Sequence, residues 1–226
     1  MKKFIILFLI MFVLINCASA ELLLTANSLG QGRFGIKSSY INGSNSLNNV
    51  MNTTGYDILL GYGIISNLDI YGVAGYVAYP NAGSTISNLS INGPLYGLIL
   101  KYRILEDTEY APFNLSSMVS FKVNNITSRY GNSAYNTMME DWGGGVVLSK
   151  TFPVVTPYIA ALYHFGSWID SYGALRLTSV ELVNGYNFMF SESTGLIVEV
   201  ASNSVAAQGG TSFSITNISL ALGQRL

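Results

Sequence analysis

The stretch 112–124, PFNLSSMVSFKVN, decides how this chain is read. Phe113, Leu115, Ser117, Val119, Phe121 and Val123 fall on one side of an extended backbone. Asn114, Ser116, Met118, Ser120, Lys122 and Asn124 fall on the other. A period of two in hydrophobicity makes a β-strand with one apolar and one polar face. The same alternation recurs in about ten stretches, with hardly a helical segment between them. Connections alternate between short turns and long polar loops. That rhythm predicts an all-β, antiparallel, up-and-down transmembrane barrel, apolar outside and polar inside.

Working outward, strands are expected at 31–41, 55–65, 68–79 and 95–104, then at 139–150, 154–165, 176–188, 193–202 and 212–226. In the first, Phe34, Ile36 and Tyr40 share a face, with Lys37 and Ser39 opposite. Tyr56, Ile58, Leu60, Tyr62 and Ile64 of the second face lipid, as do Tyr96, Leu98, Leu100 and Tyr102 of the fourth, which turns Lys101 and Arg103 inward. Gly72, Ala74 and Gly75 blur the alternation of the third. Trp142, Val146 and Leu148 point outward, as do Leu196, Val198 and Val200 around an inward Glu199, and finally Ile218, Leu220 and Leu222. Long loops rich in Asn, Gly, Ser and Thr are expected at 42–54, 80–94, 126–138 and 166–175. Short connections fall at 66–67, 105–111, 151–153 and around Ser191 to Ser193. An even count of ten strands brings both ends of the barrel chain to the periplasmic side.

Residues 1–20 read as a cleaved secretory signal. Lys2 and Lys3 precede the apolar run 4–15, and Ala18-Ser19-Ala20 is a small-x-small cleavage pattern. Residues 21–226 then form a single barrel domain. The one cysteine, Cys17, lies inside the signal, so the mature fold uses no disulfide despite export to an oxidising compartment. Half the residues are hydrophobic (50%) and only 10% are charged, with a formal net charge of -1. Soluble domains carry about 25% charged residues. Past the signal no run of 18 apolar residues exists, which excludes spanning helices. A closed barrel is the other structure that satisfies its backbone hydrogen bonds in lipid. The near-neutral balance, without a Lys/Arg cluster, gives no support to nucleic-acid binding, and none is expected. Fifteen Tyr and two Trp are plentiful enough for aromatic girdles at both bilayer edges.

Three segments, LDIYGVAGY at 68–76, VTPYIAALY at 155–163 and ELVNGYNFMFSESTGLIVE at 181–199, resemble the small outer-membrane β-barrel superfamily. That group includes the OmpA-like and opacity-like β-barrel domains. The resemblance covers most of the mature chain by pattern. It implies residence in the cell outer membrane of a diderm bacterium, surrounded by outer-membrane lipid, after insertion by the barrel-assembly machinery. Many such barrels have eight strands, where ten are counted here. Many also end in a Phe; this chain ends in Leu226, with Leu222, Leu220 and Ile218 on the same face. No peptidoglycan-binding domain is expected after the barrel.

The single histidine, His164, lies near the outer end of the seventh strand. Outer-membrane proteases and lipid A hydrolases also use small barrels with a rim histidine, beside a carboxylate or serine. Asp141, Asp170 and Ser167 are the nearby candidates, but the residue patterns of those enzymes are absent. One His and no mature Cys give no metal-ligand spacing. Gly143-Gly144-Gly145 lacks the Lys-Ser/Thr and helix of a phosphate loop and reads as relief of crowding. Neither catalysis nor any metal or cofactor is therefore expected.

The inward charges by parity are Lys37, Asp57, Lys101, Arg103, Lys122, Asp141, Glu181 and Glu199. They can form an internal plug or line a narrow, porin-like channel. Side chains just fill an eight-stranded barrel and ten strands are only slightly wider, which favours the plug. The expected arrangement sets Glu181 and Glu199 at similar heights on adjacent strands. There they would join a lumen charge network drawing on Lys37, Lys101, Arg103 and Lys122. The function that follows is a non-enzymatic barrel with a structural, surface-recognition or limited-permeability role. The alternatives are a surface hydrolase using His164 and a soluble exported barrel holding an apolar ligand inside. Nothing in the sequence names a solute, receptor or surface ligand.

Overall fold

The computed structural model describes residues 25–45, 53–79, 89–130, 133–170, 173–191, 193–207 and 212–226. The expected signal at 1–20 lies outside the described residues. Ten strands follow in order: β1 (Phe34–Asn45), β2 (Thr53–Ile65), β3 (Leu68–Tyr79), β4 (Leu89–Leu105) and β5 (Asn114–Tyr130), then β6 (Ser133–Ser149), β7 (Val155–Asp170), β8 (Gly173–Met189), β9 (Thr194–Ala207) and β10 (Ser212–Arg225). Each pairs antiparallel with its sequence neighbours, and β1 pairs with β10 to close the barrel. At the seam Phe34 N–H donates to the Leu226 carbonyl (3.3 Å) and Leu226 N–H returns to the Phe34 carbonyl (2.8 Å). Closure removes the unpaired edge that a bilayer could not solvate.

The outward faces follow the alternation. Tyr56, Leu60, Leu98, Val119, Leu182 and Ile218 are all exposed on the barrel wall. Apolar wall residues of this kind are stable against lipid, not water, so the soluble reading with its apolar face turned inward does not hold. Aromatic side chains gather at two levels. Phe121 packs on Trp142 (ring centroids 4.4 Å apart), Trp142 stacks on Phe165, and Tyr56 stacks on Tyr76 toward the loop end. Phe34 on Tyr62 marks the turn end. These are the amphipathic rings expected where headgroups begin.

All four expected long loops are partly strand: residues 42–45 extend β1, 53–54 begin β2 and 89–94 begin β4. Residues 126–130 extend β5 and 133–138 begin β6; residues 166–170 extend β7 and 173–175 begin β8. The alternation of hydrophobicity ends where lipid ends, but the hydrogen-bond ladder needs only a neighbouring strand. Polar hairpins therefore continue beyond the apolar band, with Ile126 paired to Thr137 and Ser167 to Arg176.

Candidate functional site in the lumen

The lumen is built in layers. At the turn end, residues 25–29 precede β1 and fold back into the mouth, where Ala26 and Leu29 are almost wholly buried. Gly30 and Gly32 hold positive φ angles (86° and 75°) at this reversal. Gly63 of β2 meets it so closely that an added Cβ would strike the Gly30 carbonyl. Asp69, fully buried, anchors the segment. Its carboxylate accepts from Ser28 Oγ (2.9 Å), from the Leu29 backbone N–H (3.1 and 3.2 Å) and from Tyr71 Oη (2.8 Å). Lys101 Nζ lies 3.6 Å from the same carboxylate and donates to the carbonyls of Thr25 (3.2 Å) and Asn27. Ser116 Oγ donates to the Ala26 carbonyl, and Ala26 N–H donates to Ser149 Oγ (3.1 Å). A buried carboxylate met by this many donors is compensated for its lost hydration.

Above this seal sits an apolar layer of inward Leu59, Val73, Ile99, Met118, Val147 and Ile197. The lumen is therefore not uniformly polar, as the alternation alone implied. Within the layer Glu199 accepts from Lys37 Nζ (3.2 Å), Ser219 Oγ (2.8 Å) and Tyr158 Oη. Tyr158 reaches Glu199 by crossing β8 at Gly185, its register partner. A Cβ on Gly185 would collide with the Tyr158 ring.

Toward the loop end, His164 is held between two carboxylates, with Nδ1 3.0 Å from Asp141 and Nε2 3.0 Å from Glu181. Gly143 leaves room for the ring. Between this layer and the apolar one is a cavity of about 170 Å³. Leu95, Ile99, Met118 and Val183 line it, together with Asp57 and Lys122.

The structure brings Lys37 and Glu199 together but separates the other expected partners. Glu181 and Glu199 are not level: Glu181 registers with Asn203 and Glu199 with Gly185, four residues along β8. Glu181 bonds His164, not a basic side chain of β1 or β4. Lys101 pairs with Asp69 and Arg103 with Glu106 (3.1 Å) at the exposed turn. Lys122 lies within salt-bridge reach of no carboxylate among the described residues. The expected single network is replaced by separate pairs at different heights. Sequence reasoning missed Asp69 because the small residues of β3 hid its parity. It also gave residues 25–29 no role. The run Thr-Ala-Asn-Ser was a usable signal there, being too polar for a signal core and rich in side chains that bond backbone.

No protein-family model matches the sequence, and no curated protein matches it. Among solved structures, an outer-membrane channel from Pseudomonas putida F1 superposes with a TM-score of 0.53 at 12% identity, covering 89% of this chain and 98% of that one. The outer-membrane protease OmpT from Escherichia coli gives 0.46 at 9% identity, covering 85% and 96%. Neisserial surface protein A gives 0.43 at 13%, covering 86% and 95%. The closed ten-stranded barrel with a lipid-facing wall is the fold of the small outer-membrane β-barrels. The chain has the fold of an outer-membrane β-barrel protein.

Proposed function

We propose that this is a non-enzymatic outer-membrane barrel, closed at its turn end, that serves structural or surface-recognition roles with at most limited permeability. The buried seal of residues 25–29 on Asp69 and Lys101 carries this reading. Every strand also turns at least one almost fully buried side chain into the lumen, such as Lys37, Leu59, Tyr71, Asn187 or Ala221. A water-filled channel exposes its lining. In planar bilayers the intact protein is expected to give no sustained conductance steps, and deletion of residues 25–29 to produce them. Stable ion conduction by the intact chain would count against a closed barrel.

The Asp141–His164 contact is the one observation that favours a hydrolase. A histidine acts as general base through a ring nitrogen free to take a proton from serine or water. Here both nitrogens face carboxylates, and a neutral ring has only one donor and one acceptor to offer. We take the trio as a structural clamp across β6, β7 and β8. Purified protein is expected to leave lipid A and peptide substrates uncleaved. Cleavage that disappears in folded His164→Ala would assign the clamp to catalysis.

A further inference from the structure

We propose that a pocket at the turn-end mouth of the barrel binds a phosphate group. Three arginines, Arg33, Arg103 and Arg225, line it with a single carboxylate, Glu106, among the described residues. The reversal before β1 gathers them. Gly30 and Gly32, with their positive φ angles, carry the chain across the mouth. Arg225 Nη2 and Arg33 Nε lie 3.5 and 4.0 Å from the point where a Cβ on Gly30 would sit. Two guanidiniums, one from each side of the β1–β10 seam, thus flank one small space that the glycine leaves open. Arg103 is held at the same mouth from β4. Its Nη1 bonds Glu106 (3.1 Å) and its Nη2 donates to the Ser66 carbonyl (3.3 Å).

Charge does not cancel within this group. Glu106 is engaged by Arg103, and Arg33 forms no ion pair among the described residues. Asp69, which Ser28 Oγ links to the pocket from beneath, is matched by Lys101. Leu226 is exposed, bonds Phe34 across the seam and does not line the pocket. Each guanidinium carries five N–H donors, so contacts made elsewhere leave donors for a ligand. Like charges held this close repel, and an anion between them turns the repulsion into attraction. The donor forks select phosphate. One fork matches two oxygens on one centre. A carboxylate, with two oxygens and one charge, suits one fork; a phosphate has oxygens for two forks at once and a larger charge. The volume of about 380 Å³ falls in the range of small-molecule sites and leaves room for the substituent on the phosphate. That substituent can belong to a soluble ester or to a lipid, since Phe34 and Tyr62 set the turn-end headgroup level beside Arg33.

Isothermal titration of the full chain in a maltoside detergent with glycerol 3-phosphate tests the proposal. Saturable binding is expected, with glycerate, a carboxylate analogue, at least about tenfold weaker. Arg33→Gln and Arg225→Gln should each weaken glycerol 3-phosphate about tenfold while the barrel keeps its heat-modifiable mobility on gels. Lys150→Gln, at a basic residue outside the pocket, should leave binding unchanged. Dihexanoylphosphatidic acid separates the two sources, scored as the binding lost in Arg33→Gln. Binding about tenfold tighter than glycerol 3-phosphate assigns a lipid headgroup, and equal or weaker binding assigns a soluble ester. An absence of saturable binding by both phosphates would overturn the proposal, as would glycerate binding as tightly or folded Arg33→Gln binding as the parent does. The pocket lies outside the seal, so a conducting barrel would leave this result standing.

Discussion

Glu199 gathers three side chains in the lumen, Lys37, Ser219 and Tyr158, and its environment is dry. The side chains of Lys37 and Glu199 are only 3% and 9% exposed. Removing one member of such a pair leaves a buried charge without compensation, which costs about 3–5 kcal/mol. Glu199→Gln should lower the unfolding free energy by that order in urea titrations of the protein in lipid vesicles. The double variant Lys37→Met with Glu199→Leu should recover most of the loss, because apolar side chains suit the surrounding layer. Equal destabilisation by the single and double variants would mean that the pair is solvated. The exposed Arg103–Glu106 pair provides a contrast, since surface pairs contribute about 0–1 kcal/mol. The inward parity of Lys37 and Glu199 was legible from alternation alone. That Tyr158 would join them was not, because it depends on the missing side chain of Gly185 on the strand between Tyr158 and Glu199.

At the scale of elements, legibility divides by what the bilayer imposes. β2, β3 and β10 fall where the alternation sets them, because lipid on one face forces a period of two. The upper parts of β1, β4, β5, β6, β7 and β8 were read as loops, because water on both faces imposes no pattern. Their Asn, Ser and Thr residues are compatible with either state. The largest omission is the segment 25–29, which has no periodicity at all. Its placement depends on contacts with Asp69, Lys101, Ser116 and Ser149, residues 40 to 123 positions away. Local pattern carries no information over such separations, and side-chain to backbone hydrogen bonds leave no hydrophobic signature.

For the molecule as a whole, the closed ladder and the two aromatic levels define one orientation. Both described ends lie with the short turns, which outer-membrane barrels keep in the periplasm. A cysteine introduced at Asn136, on the projecting β5–β6 hairpin, should react with a membrane-impermeant maleimide on intact cells. One at Thr108, in the β4–β5 turn, should react only after the outer membrane is breached. The reverse pattern would invert the barrel. Polarity of the chain also bears on its biogenesis. Hydrogen bonds that fix residues 25–29 run to β3, β4, β5, β6 and the following turn at Thr151. The first two-thirds of the polypeptide, as far as Thr151, thus supplies partners enough to seat this stopper before the last hairpin arrives. In a pulse-labelled refolding experiment, the amides of Ala26 and Leu29 should gain protection earlier than those of Phe34 and Leu226. A nascent barrel of this design would never pass through a stage that is closed at the seam yet leaky through the middle.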